Sequence, residues 1–157
     1  MSLQIPGNNV VLTVGNNMMG DDGAGPLLYD MMNEVPISGW LAIDGGSAPE
    51  NSAHQIRELK PDTLVIVDAA DMELDAGEIR IIDADMIAEM FIMSTHNLPL
   101  SFLIDQLKED IPSVIFIGIQ PAIVSFAFPM TDEVKVAVKE IYRSLITGQY
   151  EQQFISL

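Results

Sequence analysis

Five side chains in this sequence combine the right type with a setting where chemistry is possible. Asp21 and Asp22 are adjacent in GNNMMGDDGAG, residues 15–25, directly after the apolar run VVLTV. Asp44 closes an apolar run within IDGG, Asp68 does the same within IVDAAD, and His96 lies in STHNLPL. A glycine-rich turn after a strand usually offers its N–H groups to phosphate, yet this one carries two carboxylates and no lysine or arginine. An acidic turn suits a cation instead. Carboxylates joined by one imidazole form an O,O,N donor set fit for zinc, nickel or another first-row divalent ion, with coordination positions left open for a substrate. Taken singly, each aspartate is better read as a helix cap or turn former. Three at consecutive strand ends, beside glycines that admit close backbone approach, tip the balance towards a site.

Those residues need elements to hold them. Apolar, β-branched runs at VVLTVG, WLAIDGG (40–46), TLVIVDA (63–69), EIRIID (78–83) and VIFIGIQP (114–121) predict five strands. Apolar spacings of three and four predict helices over about 22–34, 52–60, 84–93, 98–110 and 131–147. The last has Thr131 as a candidate cap, acids in its first turn and Gly148 as a stop. The alternation of strands and helices, with EIRIID as the exception, implies a three-layer α/β/α sandwich around a mostly parallel five-stranded sheet. EIRIID follows Asp68 too soon for a helical crossover and is expected to be antiparallel. In such a sheet ligands bind outside the carboxyl ends of the strands, where Asp22, Asp44 and Asp68 would gather. GQYEQQFISL at the end is expected to be loosely held.

Composition bounds the function. The 157 residues, 48% hydrophobic, with no compositional break, are read as one domain over 1–157. Seven Lys plus Arg against 23 Asp plus Glu give a net charge of −16, which argues against nucleic-acid and anionic-membrane partners. MSLQIPGNN lacks the features of a signal peptide and no apolar run is long enough to span a bilayer, so a cytoplasmic protein without membrane insertion is expected. The absence of cysteine excludes disulfides, thiolate metal sites and thiol proteases. There is no HExxH, because HQIRE has the wrong spacing. His54, in that segment, is expected to be a solvated surface residue.

The stretches GNNMMGDDGAGPLL, IDGGSAPE, LVIVDAADM, GEIRIID, THNLPLSFLIDQLKEDI and VIFIGIQP together resemble the hydrogenase maturation endopeptidases, in particular the branch serving hydrogenase 3 of the formate hydrogenlyase complex. The resemblance runs from about Val10 to Ile141. It implies an α/β endopeptidase that removes the C-terminal extension of the nickel-iron hydrogenase large-subunit precursor after nickel insertion. The family's metal ligands fall on Asp22, Asp68 and His96, and its DGG acid falls on Asp44. The implied ion is nickel brought by the substrate, with other divalent ions able to substitute. On this reading Asp22 supplies an oxygen, Gly20 and Gly23 let the chain bend around the ion, and Asp21 caps the following helix.

Two mechanisms stay open at this point. Either the ion polarises the scissile carbonyl or a bound water, with Asp22 or Asp44 as base, or the ion only docks the substrate and an aspartate activates water unaided. Met18 and Met19, in the acidic loop, are candidate contacts for an apolar peptide, as are Met90 and Met93 before His96. A receiver-like phosphorylatable domain is the rival: it shares the acids and the strand-end Asp. Its acid pair, however, should sit at the strand end rather than six and seven residues past Gly15, and Gln120 stands where it needs a lysine. A non-proteolytic metal-binding assembly factor is the third reading.

Overall fold

The computed structural model describes residues 8–83, 93–94 and 98–157. His96 and Met90 lie outside the described residues, as does the helix expected over 84–93 apart from its final residue. The elements run β1 (Asn9–Val14), α1 (Ala24–Glu34), β2 (Trp40–Gly46), α2 (Ala53–Leu59), β3 (Thr63–Asp71), β4 (Ile79–Ile82) and β5 (Met93–Ser94). There follow α3 (Leu98–Lys108), β6 (Ser113–Ile119), α4 (Asp132–Thr147) and a short α5 (Tyr150–Gln153). Single 3-10 turns at Gly20–Gly23 and Pro49–Ser52 lead into α1 and α2.

Five strands form one sheet in the order β2-β1-β3-β6-β4. The first four are mutually parallel, while β4 pairs antiparallel with β6, Ile79 opposite Ile119. The antiparallel placement expected of EIRIID is therefore correct, and its partner is β6 rather than the β3 it follows. The two-residue β5 adds an antiparallel pairing to the end of β3, Ala70 opposite Ser94. That pairing carries β3 on to Asp71, so Asp68 lies inside the strand, opposite Gly118, rather than at its tip.

Alternation along the strands splits the core between the two faces. Val10, Leu12, Leu64 and Ile66 pack with Leu103 and Ile104 of α3 on one side. Val11, Val65 and Val67 pack with Leu28 of α1 and Val134, Val138 and Ile141 of α4 on the other. A strand buried on both faces needs a continuous apolar run, which is why VVLTV and TLVIVDA are unbroken by charge until their ends. Each fully buried Leu, Ile or Val contributes about 1.5–3 kcal/mol.

Two local expectations change. Thr131 is the residue preceding α4 but makes no capping bond to that helix, because its hydroxyl is used elsewhere. The terminal segment is not loose: Tyr150 and Phe154 are buried in the α1/α4 core, and Trp40 meets Tyr150 edge-on with ring centroids 5.7 Å apart.

Candidate active site

The candidate site is built around Asp22 and Asp68. Asp22 sits in the 3-10 turn after β1 and is 2% exposed; Asp68 projects from β3 and is fully buried. Neither oxygen of Asp68 has a hydrogen-bond partner among the described residues. Burial drives its pKa well above the ordinary carboxylate range, and the negative charge of Asp22 adds to that rise. Asp22 is better supplied, since one oxygen accepts the Asn16 N–H at 2.9 Å. Two buried acids close enough to repel one another favour a proton or a cation between them. The donor chemistry therefore fits a divalent ion. No group of three or more ligating side chains is present among the described residues.

Asp21 has a different task from its neighbour. It caps no helix of its own; instead it reaches a segment 101–110 residues away. One oxygen accepts the N–H groups of Ala122 and Ile123 at 2.8 and 3.0 Å, and the other accepts the Thr131 N–H at 2.7 Å. The Thr131 hydroxyl donates to the same carboxylate at 2.9 Å. The Asp21 N–H in turn donates to the Ile123 carbonyl at 2.7 Å. Residues 121–131, which leave β6 and enter α4, are thus strapped to the loop that carries Asp22.

Glycine makes the approach possible. Gly20 has φ +59°, and a Cβ there would lie 2.5 Å from the Ile123 carbonyl oxygen. Gly15, not singled out by its sequence context, has φ +138° and presses against the Asp22 carbonyl, where a Cβ has no room. Gly23 has an ordinary φ of −77° and is not where the bend occurs.

The other candidates separate. Asp44 stands opposite Thr13, exposed at the end of β2, with one oxygen accepting the Gly46 N–H at 3.0 Å. Strand alternation turns it to the α1 side of the sheet and Asp68 to the α3 side, so Asp44 does not join the buried pair. His54 is solvated and meets Glu58 one helical turn on, at 2.8 Å. Met18 is exposed and Met19 half-buried in the acidic loop. Gln120 is a structural hub: its side-chain oxygen accepts the N–H groups of Met72 and Leu74 at 2.6 and 3.2 Å, and its amide donates to Asp71 at 3.1 Å. Where a receiver needs a cation, this chain has a neutral clamp on the β3–β4 connection.

A family model described as hydrogenase maturation protease, of the HycI type, matches residues 28–148. The chain belongs to the hydrogenase maturation protease family. It is 63% identical over 137 residues to the hydrogenase 3 maturation protease of Escherichia coli K12, covering 87% of this chain and 88% of that protein. A crystal structure of the hydrogenase 3 maturation protease superposes with TM-score 0.89 at 59% identity, covering 95% of this chain and 96% of that one. The [NiFe] hydrogenase maturation protease HycI of Thermococcus kodakarensis gives TM-score 0.79 at 28% identity over 90% and 91% of the two chains. The chain is accordingly a peptidase of hydrogenase maturation, and the comparisons support neither the receiver-like reading nor the assembly-factor reading. Among the described residues no helix is long and apolar enough to cross a membrane.

Proposed function

We propose that this maturation protease removes the C-terminal extension of a nickel-iron hydrogenase large-subunit precursor of the hydrogenase 3 type, working in the cytoplasm after nickel insertion. The nickel belongs to the precursor and is met by Asp22, Asp68 and His96. The observation that carries this reading is the buried Asp68 carboxylate, without a hydrogen-bond partner among the described residues and beside a second buried acid. A site of that kind is costly until a cation arrives. Water attacks the scissile carbonyl, the peptide C–N bond breaks, and the proton lost by water ends on the departing amine. Asp22, at the ion, takes up that proton in passing.

The test uses purified protein with precursor prepared with and without nickel, following release of the C-terminal peptide by mass spectrometry. Only the nickel-loaded form should be cut. His96→Ala should abolish cutting and His54→Ala should leave it unchanged. Equal cleavage of both precursor forms would refute recognition of substrate-borne metal, even if hydrolysis itself persisted.

A further inference from the structure

Large apolar side chains stand in solvent beside the Asp22 loop. Phe126 is 67% exposed, Phe128 54% and Met18 55%, with Ile123 next to them along the strap. The backbone holds these residues together: the Ala127 N–H donates to the Met18 carbonyl at 2.8 Å, and the Asp21 carboxylate fixes Ala122 and Ile123. Exposing two phenylalanines has a cost in water that a free-standing loop gains nothing from.

Charge indicates what covers them. The chain carries 23 acidic side chains, yet PAIVSFAFPMT, residues 121–131, contains no charged residue at all. A basic partner would be drawn to the acidic remainder of the surface, whereas this strap offers neutral, apolar contact. Its main chain is also open: among the described residues the N–H groups of Val124, Ser125 and Phe126 have no hydrogen-bond partner. Apolar side chains beside unpaired backbone donors fit an extended peptide, which supplies carbonyls and side chains along one line. The Asp21 clamp lies one residue from Asp22, so the strap stands beside the loop that would hold the substrate's ion.

We infer that the 121–131 strap, through Phe126, Phe128, Ile123 and Met18, is the docking surface for an extended, uncharged apolar segment of the precursor next to its scissile bond. This rests on the reading of the protein as the precursor's peptidase. The strap sets affinity for the polypeptide, while Asp22 and Asp68 serve the ion. Removing the aromatic rings therefore weakens binding without touching the hydrolytic step.

The experiment compares the wild-type protein with F126S/F128S and F126L/F128L, using purified nickel-loaded precursor. Binding is read by fluorescence anisotropy and turnover by mass spectrometry. The serine variant should raise Kd and KM by about tenfold or more, keep kcat within about twofold and keep its melting temperature. The leucine variant should recover most of the loss. Wild-type Kd and KM in a folded serine variant would overturn the assignment. Should the serine variant fail to fold, hydrogen exchange on the wild-type protein decides: the Val124, Ser125 and Phe126 amides must slow when precursor is added for less than one turnover, and unchanged exchange overturns the proposal. A wild-type dimer that the leucine and serine variants lose or weaken, with KM unaltered, would assign the patch to a second copy of the chain and also overturn it. Failure of the peptidase reading looks different, because the wild-type protein would then cut no precursor whatever its affinity.

Discussion

Burial makes the charged form of Asp68 unfavourable, and Asp22 adds to the cost. Below the ordinary carboxylate pKa, about 3.9, the group is protonated in folded and unfolded chains alike and carries no penalty. As pH rises the unfolded chain ionises first, so stability falls until the raised folded pKa is passed. Asp68→Asn removes that pH dependence. Its melting temperature should therefore gain on the wild type between about pH 4.5 and pH 8, by at least about 2 °C across the range. A divalent ion such as nickel should raise the wild-type melting temperature at pH 8 and leave Asp68→Asn unmoved, while the variant loses processing activity. A difference between the two proteins that is flat with pH would show that the carboxyl is not held in its costly state. At this scale the sequence was informative, because Asp22 and Asp68 declare themselves by standing among glycines and at the end of an apolar run.

Elements raise the question of who holds the acidic loop in place. Asp21 accepts three N–H groups and a hydroxyl that all come from the strap and the entrance to α4. Asp21→Ala leaves those donors without their acceptor at a partly buried contact, where each lost bond to a charged group is worth about 1.5–3 kcal/mol before water takes its place. Urea unfolding should show a loss of about 3 kcal/mol or more, against about 1 kcal/mol for Thr131→Val, which removes only the hydroxyl bond. Equal, small losses would mean that water replaces the clamp without cost. Within the described residues the sequence predicted the strands and the longer helices closely, since apolar periodicity is a local signal. It assigned Asp21 to a cap and Thr131 to another because adjacency suggests local roles, whereas the actual bond spans 110 residues. The clamp made by Gln120 was missed for the same physical reason, since its bonds to Met72 and Leu74 exist only once β3 and β6 have paired; Gly15 was missed because the fold of its own loop, not any residue type, presses it against Asp22.

At the scale of the whole molecule, the terminal segment closes what the sheet leaves open. β4 is the outer strand beyond β6, and an uncovered outer strand exposes unpaired backbone. Here the tail returns along it: the Ile81 N–H donates to the Ile155 carbonyl and the Leu157 N–H to the Ile81 carbonyl, each at 3.0 Å. Its position at the terminus suggested that GQYEQQFISL is loose, but Tyr150 and Phe154 are anchors four residues apart that face Trp40 and the α1/α4 core. Phe154→Ala should cost about 3–5 kcal/mol through lost burial and the cavity left behind. For a chain of this size each kcal/mol lowers the melting temperature by about 2–4 °C, so a fall of roughly 6–20 °C is expected in calorimetry. The tail pairs with β4, well away from the loop carrying Asp22, so kcat on the nickel-loaded precursor should stay near wild type when assayed well below the new melting point. Deleting residues 154–157 should add aggregation to the loss, because the β4 edge is then bare. An unchanged melting temperature in Phe154→Ala would restore the loose tail that its terminal position suggested, whereas a lost kcat in a folded variant would mean that the tail also supports the site.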